Sequence, residues 1–188
     1  KLYIGKREEV FVYNESTGNF DLFYHLAGKN ITLSCLHLDK NKNLWMGTTS
    51  NGIYCLSEDK SLSRPVTKGN ITSIYEDSSN ELWIGSWEEG LYRVKTDGNI
   101  ENLRHNPMNT NSLCSNFVRS CCEDNSGDLW IGTFNGLNRY DRETGKFHLY
   151  TANGNSPDGL THSSIWCIVK DGQGAIWLGT YFGGVNYF

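Results

Sequence analysis

Gly127-Asp128-Leu129-Trp130-Ile131-Gly132-Thr133 recurs in near copies along the chain, as Leu44-Trp45-Met46-Gly47-Thr48, Leu82-Trp83-Ile84-Gly85-Ser86 and Ile176-Trp177-Leu178-Gly179-Thr180. A worn copy, Leu2-Tyr3-Ile4-Gly5, opens the sequence. The tryptophans stand 38, 47 and 47 residues apart, and Tyr3 precedes Trp45 by 42. Periods of this length belong to propellers and solenoids.

Around each anchor the same four-part unit can be written. An apolar, alternating run comes first: Leu33 to Leu38, Ile71 to Tyr75, Val118 to Cys122 and Ile165 to Val169. Such runs read as strands. Each ends at an aspartate six residues before the tryptophan (Asp39, Asp77, Asp124 and Asp171). Asn, Ser and Gly follow, which is hairpin chemistry, because an Asp side chain satisfies backbone N–H groups of the turn. The anchor is the second strand. A third follows a glycine (Gly52, Gly90, Gly136, Gly184), and a weaker fourth is read at Phe147 to Tyr150.

Trp130 falls on one face of its strand and Leu129 and Ile131 on the other, so both faces are apolar, as a blade sandwiched between neighbouring blades requires. Gly132 leaves the backbone bare for the next layer to approach. No segment sustains a 3.6-residue period, which argues against a helical solenoid. The expectation is therefore an all-β chain of propeller blades, each of four antiparallel strands. The blade pieces are read at about 1–30, 31–68, 69–111, 112–157 and 158–188, three complete and two incomplete. The first lacks its opening strand and the last its closing strand, so a partial propeller of about four to five blades is expected. Exposed apolar end faces drive association. The partners expected for them are remaining blades of the same protein or a second copy.

Charge is balanced, with 17 basic and 21 acidic residues among 188. Nucleic acid is not an expected partner, since phosphate binding needs concentrated Lys and Arg. No apolar run approaches the ~20 residues that span a bilayer, and no segment is ordered like a signal peptide. Membrane contact is thus not expected of this segment, which reads as part of a longer protein. Of the six cysteines, none forms a CxxC pair, and none sits with histidines at zinc-finger spacing. Cys35 and Cys167 share a repeat position with Ser73 and Ser120, as small, semi-buried strand residues. No metal site or cofactor is expected.

Three stretches together, Ser112 to Val118, Glu123 to Thr133 and Gly136 to Asp141, resemble the two-component regulator propeller repeat, and His105-Asn106-Pro107-Met108-Asn109 suits it too. The similarity recurs in register over essentially the whole chain. Departures lie in the first unit, with Tyr3 for Trp and Glu9 where glycine is expected. The resemblance implies seven-bladed propellers in the periplasmic sensor region of an inner-membrane hybrid two-component regulator. In that family two propellers, a β-sandwich and a membrane helix commonly precede a histidine kinase, a receiver and a DNA-binding domain. Such regulators commonly detect oligosaccharides released from polysaccharides, so the segment would be sensory and not an enzyme. The alternatives are a polysaccharide lyase or hydrolase and a purely structural interaction propeller.

Binding groups on a propeller are expected in loops held by the rigid scaffold. Two residues after each anchor glycine stand Thr49, Trp87, Phe134 and Tyr181, so Trp87, Phe134 and Tyr181 could share one rim and stack on sugar rings. The same aromatics suit packing against the adjacent blade as part of the repeat itself, and that reading takes precedence. Glu88 and Glu89 follow Trp87 and add polar acceptors to an apolar surface. A second candidate is the pair of long loops at Arg104-His105-Asn106 and Asn153 to Asp158, although Asn, Gly and Pro are also ordinary turn formers. The five histidines occupy unrelated repeat positions, and no nucleophile, base and orienting group follows from spacing. Trp45, Gly47, Trp83, Gly85, Trp130, Gly132, Trp177 and Gly179, with the four hairpin aspartates, are read as architecture.

Overall fold

The computed structural model describes residues 1–28, 30–66, 68–152 and 159–188, all of them strand, bridge, turn or loop. No helix among them is long and apolar enough to cross a membrane. The chain divides into two compact units, Lys1–Ile74 and Tyr75–Phe188.

The first unit opens with a three-stranded sheet of β1 (Tyr3–Lys6), β2 (Glu9–Asn14) and β3 (Asn19–His25). A four-stranded sheet follows, built from β4 (Leu33–Leu38), β5 (Leu44–Thr48), β6 (Ile53–Leu56) and β7 (Leu62–Val66). The boundary between units falls within β8 (Ile71–Glu76), which heads the sheet of β9 (Leu82–Ser86), β10 (Leu91–Val94) and β11 (Ile100–Leu103). The second unit continues with the four-stranded sheet β12 (Val118–Glu123), β13 (Leu129–Thr133), β14 (Gly136–Asp141) and β15 (Lys146–Tyr150). It closes with β16 (Ile165–Lys170), β17 (Ile176–Thr180) and β18 (Val185–Tyr187). Each sheet keeps its strands in chain order, the meander of a propeller blade. Among the described residues three blades are complete, the first lacks an opening strand and the last a closing one, as the repeat arithmetic predicts.

The anchor strands β5, β9 and β13 are buried at every position. Trp130 packs with Leu160, Ile165, Ile168, Ile176 and Leu178 of the following blade. Leu129 and Ile131 belong to a different cluster, with Trp83, Leu91, Leu113 and Val118. This is the two-faced burial read from the sequence, and each apolar side chain so buried contributes about 1.5–3 kcal/mol. Glycine is required where blades meet. A Cβ on Gly132 would lie 2.7 Å from Ile165 Cγ2, and one on Gly47 would lie 2.5 Å from Cys35 Sγ and 2.8 Å from Ile71 Cγ2.

The hairpin aspartates do more than shape turns. In every full anchor the indole Nε1 donates to the second carboxylate oxygen of the aspartate six residues earlier: Trp45 to Asp39 at 2.8 Å, Trp83 to Asp77 at 2.6 Å, Trp130 to Asp124 at 2.7 Å and Trp177 to Asp171 at 2.9 Å. The first oxygen accepts the turn's backbone N–H from Asn43, Glu81, Asp128 and Ala175 at 2.8–3.0 Å. An indole can only donate, so burying it demands an acceptor. One carboxylate therefore fixes the hairpin and satisfies the buried ring. Both oxygens of Asp124 are taken in this way, which leaves its faintly calcium-like loop a hairpin.

Around Trp83 the pairing is elaborated. Arg93 and Arg142 place their guanidinium carbons 5.1 and 5.6 Å from the Trp83 ring centroid, and Arg142 also pairs with Asp77. Glu123 accepts from the Ser78 amide at 2.8 Å and from the Ser78 hydroxyl at 2.7 Å. Burial alone would raise the Asp77 pKa. Hydrogen bonds from Trp83 and the Glu81 amide, with the Arg142 charge, outweigh burial and hold the carboxyl below its usual range.

The first blade shows what the missing anchor changes. Tyr3 stands where tryptophan is expected and packs edge-on against Phe23, 5.1 Å between centroids. A cavity of about 510 Å³ opens there, lined by Tyr3, Phe23, Leu38, Leu44 and Leu56 among others. With Glu9 in place of glycine, the loop contracts to a tight turn whose positive φ of 53° falls on Arg7. At the other end of the chain Cys167 is exposed, whereas Cys35, its repeat counterpart, is half-buried. Trp177 is likewise 42% exposed while Trp83 is fully covered.

Three stability outcomes are expected. Gly132→Ala must displace Ile165 and is expected to lower unfolding free energy in urea by about 1–3 kcal/mol. Gly172→Ala, with no atom within 4 Å of the added methyl, should change it by under about 0.5 kcal/mol. The Asp77 contribution is complete above the unfolded carboxyl pKa of about 3.9 and is lost as pH falls through the lowered folded value. The melting-temperature gap between wild type and Asp77→Asn should therefore shrink between about pH 5 and about pH 2, and a constant gap would refute this assignment.

Candidate functional site

Each anchor ends in Thr or Ser, and that hydroxyl closes the loop to the third strand. Ser86 Oγ donates to the Gly90 carbonyl at 2.7 Å, Thr133 Oγ1 to Gly136 at 2.8 Å and Thr180 Oγ1 to Gly184 at 3.0 Å. The next residue leads its loop. Its amide donates across the blade, from Phe134 to the Phe117 carbonyl and from Tyr181 to the Ser164 carbonyl, each at 3.0 Å. Phe134 and Tyr181 therefore occupy equivalent, backbone-fixed places on successive blades of the second unit, and Trp87 follows Ser86 at the same repeat offset.

A second repeated device brings other side chains to the same place. The ladder of β12 with β13 slips between Val118 and Ser120, leaving Arg119 as the extra residue of a β-bulge. The pairing of β16 with β17 slips in the same way around Trp166. Bulges re-aim side chains, and these two converge. The Arg119 guanidinium carbon lies 4.1 Å from the Trp166 ring centroid, 4.9 Å from Trp87 and 5.8 Å from Phe134. Trp87 meets Phe117 edge-on at 5.4 Å, and Phe117 lies 6.2 Å from Phe134. Trp166 and Tyr181 stack at 5.6 Å with 27° between planes, and Phe182 abuts Tyr181 at 4.3 Å.

The three rim aromatics read from the sequence are thus joined through Arg119, Phe117 and Trp166, which that reading passed over. A usable signal was present. Arg119 and Trp166 occupy the repeat position held by Ser34 and Thr72, one residue into the first strand, where residue type varies while its neighbours repeat. Trp87 is half-buried against Phe117, so the packing alternative holds for it in part. Phe134, Trp166 and Tyr181 keep 48%, 54% and 53% of their surface exposed. Burial pulls the Arg119 pKa below the usual guanidinium value, partly offset by Tyr181.

Arg104 and His105 are placed differently. Arg104 pairs with the Glu89 carboxylate and donates to the Glu88 carbonyl at 3.2 Å, bracing the loop that carries Trp87. Glu88 itself is exposed. The His105 ring nitrogen Nδ1 lies 2.6 Å from the Leu113 carbonyl, and its amide donates to Asn116 Oδ1 at 2.7 Å. These bonds hold the 104–113 loop in shape. An open cavity of about 480 Å³ lies along that loop, lined by Arg104, His105, Asn106, Asn111 and Phe147 among others. The candidate stretch Asn153 to Asp158 lies outside the described residues. No group of three or more His, Cys, Asp or Glu among the described residues is arranged to hold a metal ion.

Comparison with known proteins adds the lineage. The family profile described as "Two component regulator propeller" matches residues 25–50, 65–88, 112–135 and 159–182, just over half of the chain. No curated protein matches it significantly. Among solved structures, a streptogramin B lyase superposes with a TM-score of 0.70 at 17% identity, covering 98% of this chain and 62% of the lyase. An extracellular domain assigned to a hybrid two component system of B. thetaiotaomicron gives 0.50 at 24% identity, covering 99% of this chain and 30% of its own. PorZ, a surface component of the type-IX secretion system of Porphyromonas gingivalis, gives 0.72 at 13% identity, with 99% and 30% covered. The chain thus spans less than two thirds of each. At such identities these likenesses establish the fold.

The bracing role of Arg104 sets an expectation. Both partners of its ion pair with Glu89 are partly exposed, so a double-mutant cycle of Glu89→Ala with Arg104→Ala should give a coupling of no more than about 1 kcal/mol. A coupling several times larger would mean that the pair is a main support of the loop.

Proposed function

The chain belongs to the two-component regulator propeller family, and from that premise we propose that it is a non-enzymatic, extracytoplasmic sensory segment that takes an oligosaccharide onto its aromatic cluster. The full regulator would sit in the inner membrane, with this segment in the periplasm and a kinase on the cytoplasmic side. The observation that carries the reading is the convergence of Trp87, Phe134, Trp166 and Tyr181 around Arg119. Four aromatic rings from three blades meet there, and three of them leave about half of their surface uncovered. Flat apolar faces with a few convergent polar groups are what a sugar ring needs.

The scaffold supports this division of labour. His105 holds a backbone carbonyl, the His162 ring accepts the Ser164 amide at 3.0 Å, and the repeated aspartates are spent on indoles and turns. Their geometry is that of supports. Signal transmission on this reading uses blade rigidity: ligand contact across several blades alters how the sensor region packs with its neighbours, whether further blades of the same protein or a second copy.

In cells carrying the full regulator, Trp87→Ala at normal abundance is expected to lose the transcriptional response to the inducing glycan. The complete sensor region should bind that oligosaccharide, with affinity falling roughly tenfold or more in the variant, as for loss of one stacking aromatic in a pocket. Absence of binding across a broad oligosaccharide array would refute direct sensing.

A further inference from the structure

Arg119 is the unusual arginine of the second unit. The other four arginines there each face an acid: Arg93 meets Glu81 at 2.7 Å, Arg139 meets Asp128 at 3.6 Å, Arg104 pairs with Glu89 and Arg142 with Asp77. Among the described residues Arg119 meets aromatic rings and no acid. Its Nε and Nη1 atoms are buried without any hydrogen-bond partner, and none of the ion pairs among the described residues includes it.

The aromatic rings compensate part of this. A guanidinium beside ring faces is attracted by their quadrupoles, but no ring offers its N–H groups a hydrogen-bonding oxygen. The Nε and Nη1 donors stay unpaired, and unpaired buried donors carry a desolvation penalty. A planar anion with two oxygens answers that geometry, because carboxylate and guanidinium pair edge to edge through two charge-assisted hydrogen bonds. The bulge at Val118 and Ser120 fixes where the guanidinium sits, and the Trp166–Tyr181 stack stands beside it. A sugar lying against the exposed part of that stack would bring a ring substituent to Arg119.

We propose that Arg119 is the specificity residue of this site and receives the carboxylate of an acidic sugar, so that the ligand is an oligosaccharide containing uronic acid. This deepens the glycan-sensing reading above and rests on it. Arg119 binds and selects, while Trp87, Phe134, Trp166 and Tyr181 supply the stacking surface. Neutral sugars would keep the stacking and lose the ion pair.

The test uses the complete sensor region and calorimetric titration with oligouronides of two or three residues, each paired with its carboxyl-reduced neutral counterpart. Wild type is expected to bind an oligouronide roughly 10- to 100-fold more tightly than the reduced form, the range of a charge-assisted hydrogen bond. The preference should weaken as salt is raised. Arg119→Met should abolish the preference while retaining the weaker binding of the neutral form. The comparison within wild type needs no variant, so a folding defect in Arg119→Met cannot mask the answer. Equal affinity for acidic and reduced forms would overturn the proposal and leave oligosaccharide sensing intact, as would undiminished acid preference in a folded Arg119→Met. No binding of any sugar, acidic or neutral, would overturn both.

Discussion

The hydrogen bond from each anchor indole to an aspartate six residues earlier is the constraint on which the rest depends. A tryptophan between blades supplies more apolar area than any other residue, yet its N–H must be satisfied once water is excluded. The aspartate that ends the first strand is the acceptor, and its other oxygen is committed to the turn. Strand, turn and inter-blade core are thereby coupled in one short segment. A glycine two residues after the ring then lets the next blade close down, as the 2.7 Å approach of Ile165 to a would-be Cβ on Gly132 demands. Repetition follows, because each blade must offer the same surface to its neighbour.

That coupling explains why the fold was legible in the sequence. Trp, Gly and Asp recur at fixed offsets because replacing one leaves a void, a clash or an unsatisfied donor, so period, strand order and the incomplete blades could all be read from them. The first blade shows the same rule in breach. With Tyr3 in place of tryptophan, a cavity lined by Tyr3 and Phe23 opens in the first unit. What could not be read was the partner of each indole, since an aspartate beside Asn, Ser and Gly is already explained by the turn. Its second oxygen became visible only in three dimensions.

The candidate site was half legible for a related reason. Trp87, Phe134 and Tyr181 share a repeat offset, so their alignment could be expected. Arg119 and Trp166 sit in β-bulges, where one extra residue turns a side chain away from the alternation of the strand. Strict alternation therefore assigns them to the wrong company. Arg104 and His105, singled out as loop residues, brace loops through Glu89, the Glu88 carbonyl and the Leu113 carbonyl. The fold keeps its repeated residues for packing and concentrates variety at one end of the strands. Side-chain chemistry can change there with the scaffold intact.

Of the six tryptophans, four hold blades together and two, Trp87 and Trp166, border Arg119. The most direct test is the indole N–H region of a two-dimensional ¹H–¹⁵N spectrum of the complete sensor region, followed while its oligosaccharide is titrated in. Resonances of Trp87 and Trp166 are predicted to move with ligand while those of Trp45, Trp83, Trp130 and Trp177 stay in place. Movement of the anchor indoles with Trp87 and Trp166 unaffected would contradict the division between scaffold and site.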